Sequence, residues 1–294
     1  MKFSIITAAK SLDDPKLQQL KNSIMTQEFC GDVEHIVVTE GDPESAKAIG
    51  LRKAKGEIVC FMASDCEFTS NWALKEVLYK MDRNVSGAFS SHYFYNPSDP
   101  ILNRYFALFG FNDAVPFYLG KCDRLPYYQR SGQGTYFPHN IPTLGDNGFF
   151  VWKRLIEKTN LNEYSHIDNC EDLRKLGHYH YAYLNSPIWH KTGDLLWLWA
   201  KKRLHYANTL NKNRRWKMIS SPKDIALLLI FVLSALTIAM PLLQSIYGYC
   251  KSRIKDKAWF LHPIVCFITV LLYGTLVLKN GTRRLCARAK NCSK

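Results

Sequence analysis

Gly56-Glu57-Ile58-Val59-Cys60-Phe61-Met62-Ala63-Ser64-Asp65-Cys66-Glu67 decides how this chain is read. It passes from a glycine turn into an unbroken apolar run and out into carboxylates. A short apolar run bounded by a turn signal fits a strand buried on both faces. In an open α/β sheet, ligands bind beyond the carboxyl ends of the strands. Asp65 stands at that end, where a carboxylate can hold a divalent cation against a diphosphate.

Outward from this strand, residues 3–7 and 33–39 read as two more buried strands. Residues 15–25, 46–55 and 71–81 have helical spacing. Strands alternating with helices predict an α/β fold with a mostly parallel sheet covered on both faces. Residues 92–137 break the pattern, with thirteen of the chain's 39 aromatics among Pro, Gly and Asn. They read either as a packed insertion or as an interfacial lip where Tyr and Phe meet lipid headgroups. Residues 101–111 fit a short amphipathic helix within it.

The net charge of +14 is unevenly spread. Residues 201–223 hold eight Lys/Arg and no acid, and residues 251–294 hold ten and one. Together these exceed the total, so the first 200 residues are not basic, and no basic groove motif points to nucleic acid. The positive charge flanks two uncharged runs, 225–250 and 258–278, each long enough to cross a hydrocarbon core about 30 Å thick. Joined by seven residues, they are expected to form a transmembrane hairpin over 224–278. The more basic outer flanks put both chain ends, the basic tail 279–294 and the globular domain in the cytoplasm. Residues 195–216, rich in Trp, Leu, Lys and Arg, fit a helix lying in the membrane interface, continued by the basic segment 201–223. Nine cysteines without a C-x-x-C pair suit a reduced, cytosolic chain. The chain opens directly on a strand pattern and is read as lacking a leader.

Several motifs in order resemble family 2 glycosyltransferases over roughly residues 1–200. Residues 56–67 resemble that family's metal-site strand, G-E-h-h-h-F-h-D-x-D, where h is hydrophobic. The first Asp of D-x-D falls on Ala63, and only Asp65 is kept. Thr7 ends the first strand at the family's nucleotide-binding turn. Glu40-Gly41-Asp42 stands where the family has D-D-G-S, so Glu40 and Asp42 are implied contacts to base or ribose. Ser45-Ala46-Lys47-Ala48-Ile49-Gly50 resembles A-R-N-x-G, with Lys47 at the basic position near the diphosphate. Arg215-Trp216 matches only the R-W of the Q-x-x-R-W of processive synthases, because Lys212 takes the Gln position.

The resemblance implies a GT-A, Rossmann-like domain over 1–200 that binds a nucleotide-sugar through Thr7, Glu40, Asp42, Lys47, Ser64 and Asp65. It implies a divalent cation, Mg²⁺ or Mn²⁺, held by Asp65. Glu67 is a substitute for the missing acid, and His190, downstream in Ser186-Pro187-Ile188-Trp189-His190, is a further ligand. Gly145, Asn147 and Gly148 resemble a glycine loop beneath the acceptor. The catalytic base of inverting members falls on Glu171-Asp172, with Asp172 the literal match and Asp168 its rival. The expected activity is transfer of one sugar to a lipid-linked acceptor hydroxyl at the membrane, since a processive channel needs more spans. Two alternatives stand beside it. One is transfer to polyprenyl phosphate, which needs no base. The other is a non-catalytic membrane scaffold, which Ala63 favours.

Overall fold

The computed structural model describes residues 1–129, 135–136, 147–162, 164–209 and 214–292. In chain order the α/β part contains β1 (Lys2–Ala8), α1 (Pro15–Met25), β2 (Asp32–Val38), α2 (Pro43–Lys53), β3 (Ile58–Met62), β4 (Cys66–Phe68), α3 (Ala73–Lys80) and β5 (Gly87–Ser90). The aromatic-rich region follows with α4 (Ile101–Phe109) and α5 (Ala114–Tyr118). Then come β6 (Thr135–Tyr136), β7 (Asn147–Trp152), α6 (Lys153–Ile156), α7 (His166–Lys175), β8 (Tyr181–Leu184) and β9 (Ile188–His190). Four helices close the chain: α8 (Leu196–Thr209), α9 (Pro222–Thr237), α10 (Ala239–Lys251) and α11 (His262–Cys292), the last preceded by a 3-10 turn over Lys257–Leu261.

The main sheet has the order β2-β1-β3-β7-β5-β8-β6. The pairs β1–β2, β1–β3 and β5–β8 are parallel, while β7 runs against β3 and β5, and β6 against β8. Five of the seven strands therefore share one direction. Side chains alternate across β3 and bury both faces. Ile58, Cys60 and Met62 pack with Leu17, Leu20, Leu74 and Val77 on the α1 and α3 side. Val59 and Phe61 pack with Leu51, Leu155 and Leu173 on the other. Gly50 lets α2 lie against β1, since a Cβ there would sit 2.4 Å from Ile6 Cγ2. A small antiparallel sheet pairs β4 with β9 and closes over one end of the main sheet.

The aromatic-rich region is a packed platform and not a headgroup-facing lip. Tyr105, Phe106, Phe109 and Phe111 are buried against Trp199 of α8, Phe231 of α9 and Trp259 of the 3-10 turn. Polar groups fix the same joint: Arg104 pairs with Asp256 at 2.6 Å, and Tyr105 and Tyr118 bond His262. The expected in-plane helix at 195–216 is α8, anchored inward because Trp199 is buried and donates to the Asn112 carbonyl at 2.9 Å.

The expected span 225–250 is not one helix. It divides into α9 and α10, bent by 86°. Pro241 supplies the reason: its ring collides with the carbonyl of residue 237 in a continuous helix and disfavours helical backbone at Met240. Ile238 takes up the break with φ of 63°, a left-handed conformation that β-branched residues rarely adopt. Among the described residues one helical stretch, Lys257–Lys279, is long and apolar enough to cross a membrane by itself.

α9 is tied to the platform by a buried ion pair, Lys121 Nζ to Asp224 Oδ1 at 2.9 Å. Asp224 also completes a capping box with Ser221. Removing one partner strands the other charge in a dry site. Lys121→Ala is expected to destabilise the fold by about 3 kcal/mol, measured as a lowered unfolding midpoint in detergent. Lys121→Arg should recover most of it.

Candidate active site

The carboxyl ends of β1, β2 and β3 open into one cavity of about 1290 Å³. Ser64 and Asp65 line it from the turn after β3, and Lys47 lines it from α2. His190 arrives from 125 positions further along the chain, because β4 and β9 pair in the register Cys66↔His190. That pairing leaves His190 Nε2 3.6 Å from Asp65 Oδ1. The ring's Nδ1 faces Asn112 Nδ2 at 3.3 Å and Thr192 Oγ1 at 3.4 Å, so Nε2 is the atom turned to the carboxylate.

The third wall of this corner depends on a β-bulge. Phe61 pairs with Phe149 but Met62 pairs with Asn147, so Gly148 is the extra residue. Gly148 has φ of +80°, and an added Cβ would press on Ile188 at 3.0 Å. Bulges of this kind re-aim neighbouring side chains. Here Asn147 turns into the cavity, accepts from Cys66 Sγ at 3.5 Å and donates to Tyr93 OH at 2.8 Å.

Ligand atoms of Asp65, Cys66 and His190 all lie within 4.8 Å of one another. A carboxylate and an imidazole suit a divalent ion whose other ligands are phosphate oxygens and water. Cys66 is fully buried with its thiol on Asn147, so Asp65 and His190 are the two groups that fit the ion. Glu67 is corrected as a ligand. It points to the opposite side of β4 from Cys66 and pairs with Lys191 at 2.7 Å. Strand pairing turns His190, not Glu67, towards Asp65.

The other expected site residues divide. Lys47 is buried at the cavity wall, 3.4 Å from Glu44. Thr7 is fully buried within β1, its hydroxyl 3.0 Å from His35 Nε2. Asp42 caps α2 by accepting from Glu44 N and Ser45 N, and Glu40 is exposed, so neither lines the cavity. Thr39 and Gly41 line it in their stead. Gly145 lies outside the described residues.

The expected base residues are the largest correction. Asp168 is buried and accepts the backbone N–H groups of Arg215 and Trp216 at 3.0 and 2.7 Å. Asp172 accepts from Arg215 Nη2 at 2.6 Å, and Glu171 forms a two-point pair with Arg174. None of the three lines the cavity. Asp168 and Asp172, one turn apart on α7, clamp the 214–217 segment, which presents Arg214, Trp216 and Lys217 to the cavity. Lys202 and Arg203 of α8 join them there, with Lys202 Nζ 3.5 Å from Asp65 Oδ2. These cations were read from sequence as headgroup contacts, and only the fold of α8 over the sheet edge turns them inward.

A second pair was also missed. His166, the first residue of α7, lines the cavity and donates to Glu44 of α2, Nδ1 to Oε1 at 2.7 Å and backbone N to Oε2 at 3.0 Å. Burial alone would raise the Glu44 carboxyl, but the charges of His166 and Lys47 and the His166 hydrogen bonds hold it well below the usual carboxylate range.

Residues 17–142 match the family model described as Glycosyl transferase family 2. The matched residues run from α1 to just before β7 and make up less than half of the chain. No curated protein matches the chain. Among solved structures, the chain is similar to the mannosyltransferase PcManGT from Pyrobaculum calidifontis in complex with GDP-Man and Mn²⁺. That likeness has 11% identity over 92% of this chain and 86% of that one, with a TM-score of 0.46. Glucosyl-3-phosphoglycerate synthase from Mycobacterium tuberculosis, with Mn²⁺ and UDP-Glc, shows 14% identity over 71% and 78%, with a TM-score of 0.42. Residues 1–349 of S. aureus TarS in complex with UDP show 13% identity over 90% of each chain, with a TM-score of 0.41.

Two outcomes test this geometry. Asp65→Asn and His190→Gln should each weaken Mn²⁺ binding about tenfold or more, read by titration calorimetry in the presence of nucleoside diphosphate. Glu67→Gln should leave that affinity unchanged. Separately, burial and then the charge of Lys21 take His35 from 6.5 down to about 4. The unfolded chain therefore takes up a proton between these values that the folded chain refuses. Stability present above pH 6.5 is lost as pH falls towards 4, by up to about 2–3 kcal/mol. His35→Gln should flatten that slope of the unfolding midpoint against pH.

Proposed function

Proceeding from the family 2 match over residues 17–142, we propose that this chain is a membrane-bound glycosyltransferase. It moves one sugar from a nucleotide-sugar to the hydroxyl of a lipid-linked acceptor. One observation carries the membrane part of this reading: the cavity that holds Asp65 and His190 is also lined by Leu228 of α9 and by Tyr273, Leu276 and Val277 of α11. Polar metal-binding chemistry and an apolar helical wall share a single space. A soluble donor fits the first end, and the second suits an acceptor that carries a hydrocarbon chain.

The donor end has the charge a nucleoside diphosphate needs. Lys47 approaches from α2 and Lys202 from α8, on either side of Asp65. A divalent cation held by Asp65 and His190 would supply further positive charge beside the leaving diphosphate. Ser64 and the backbone at Thr39 and Gly41 border the nucleotide. Displacement in line at the anomeric carbon inverts that centre, with the acceptor hydroxyl entering from the side of α11.

The exposed outer faces of α9, α10 and α11 carry Ile225, Leu229, Leu233, Leu243, Ile264 and Leu271. This apolar band supports seating the three helices in lipid, with α11 crossing and the bent α9–α10 pair wedged beside it. The α/β domain then faces the cytoplasm, in keeping with its free cysteines and the basic residues at the helix flanks.

The test is nucleotide release from a panel of nucleotide-sugars by detergent-solubilised protein with native lipid extract. Release should require Mg²⁺ or Mn²⁺, stop with chelator and fall at least about 100-fold in Asp65→Ala. Leu276→Trp, which fills the apolar end, should raise the acceptor KM about tenfold and leave donor affinity unchanged. Release that ignores both the metal and Asp65 would overturn the reading.

A further inference from the structure

Attack by a hydroxyl needs a group to take its proton, and α7 offers no carboxylate to the cavity. The acids that do line it are Asp14, Glu44, Asp65, Asp113 and Asp123. Asp14 caps α1, and Asp113 caps α5 and accepts from Tyr273 OH. Asp123 pairs with Arg124, and Asp65 lies between His190 and Lys202. Glu44 is taken up by His166.

We propose that His166, oriented by Glu44, is the general base of the transfer; this rests on the reading of the chain as a hydroxyl-directed glycosyltransferase. The geometry is that of an imidazole with one nitrogen anchored and the other open. An ionised carboxylate only accepts, so the 2.7 Å contact puts a proton on Nδ1, and the ring in its neutral form then carries its lone pair on Nε2. Nε2 makes no hydrogen bond among the described residues, and the ring lines the cavity. The second contact, backbone N–H of His166 to Glu44 Oε2 at 3.0 Å, prevents the carboxylate from swinging away. Both side chains are shielded, at 13 and 12% exposure, so their pairing is little screened by water. The ring lines the same cavity as Tyr273 of α11, and Glu44 lies 3.4 Å from Lys47.

The step balances without a further reactant. The acceptor O–H proton passes to His166 Nε2 as its oxygen forms the bond to the anomeric carbon. The bond from that carbon to the diphosphate oxygen breaks, and its electron pair leaves on the nucleoside diphosphate. The imidazolium is held by Glu44 until it returns its proton to solvent. Four charged groups face the ring's surroundings. Glu44 favours the imidazolium, as does Asp168 two residues on in α7. Lys47 from α2 and Arg214 from the strand of chain before α9 oppose it.

A bridge that merely joins α2 to α7 would not require an open ring nitrogen, and this separates the two roles experimentally. With the whole 294-residue chain, the donor that the nucleotide-sugar panel selects, Mn²⁺ and lipid extract, His166→Ala is expected to lower kcat about 100-fold or more. Donor affinity by calorimetry should stay unchanged, and added imidazole should restore part of the rate. Glu44→Gln keeps one of the two hydrogen bonds and removes the charge, so the acid limb of kcat/KM should move to lower pH. That displacement decides the matter if His166→Ala does not fold. Wild-type kcat in His166→Ala would overturn the assignment and point to an acceptor oxygen that is already ionised, such as a lipid phosphate. Loss of donor affinity together with rate, without imidazole rescue, would overturn it in favour of a structural bridge. A wild type that releases nucleotide from no donor would instead overturn the transferase reading, and this assignment with it.

Discussion

The pairing of β4 with β9 is the constraint on which the site depends. Three residues on each strand bring the turn after β3 against a segment 125 positions away, in the register Cys66↔His190. Because strand side chains alternate, this register decides which atoms meet. A slip by one residue would put Trp189 beside Asp65 and send His190 to solvent. The bulge at Gly148 works on the same corner from the other side, turning Asn147 towards Cys66 and His190. Asp65, stripped of the acid that usually precedes it, gains an imidazole through topology and not through a neighbour in sequence.

The carboxylates of α7 show how a residue type in the expected region can serve a different purpose. Asp168 satisfies two half-buried backbone N–H groups of the 214–217 segment with a charged acceptor, a contribution worth about 1–3 kcal/mol. Asp172 adds an ion pair to the same segment. Their effect on the cavity is indirect, since the clamp delivers Arg214, Trp216 and Lys217 to its wall. At the start of the same helix, His166 turns inward because Glu44 of α2 holds both its ring and its backbone. Acids and histidine thus divide the helix between anchoring and chemistry.

The helical part is joined to the sheet domain through the aromatic platform. Rings of α4 and α5 bury Trp199, Phe231 and Trp259 from three later elements. Tyr105 of α4 meets His262 and Tyr118 of α5 meets Gln244, while Tyr95, ahead of α4, donates to Asp256. Aromatic residues suit this place because they bury large apolar area while keeping a hydrogen-bonding handle. The result is a rigid connection that brings α9 and α11 to the cavity wall.

Local pattern was enough for the α/β alternation, the buried strand ending at Met62, the place of Asp65 at that strand's carboxyl end and the apolarity of α11. Each depends on residues adjacent in sequence, where period and turn chemistry act directly. His190 was reachable by resemblance, and Lys47 by its place in a short motif. The break at Ile238 was also written locally, in Pro241, but the uniform apolarity of residues 225–250 outweighed it. The sequence could not show that Asp168 and Asp172 face the 214–217 segment, that Lys202 and Arg203 turn inward, or that Glu44 meets His166 across 122 positions. Those facts depend on which helix faces pack together. Burial of apolar area decides that packing for the whole domain at once, and the charged residues on each face take the partners it leaves within reach.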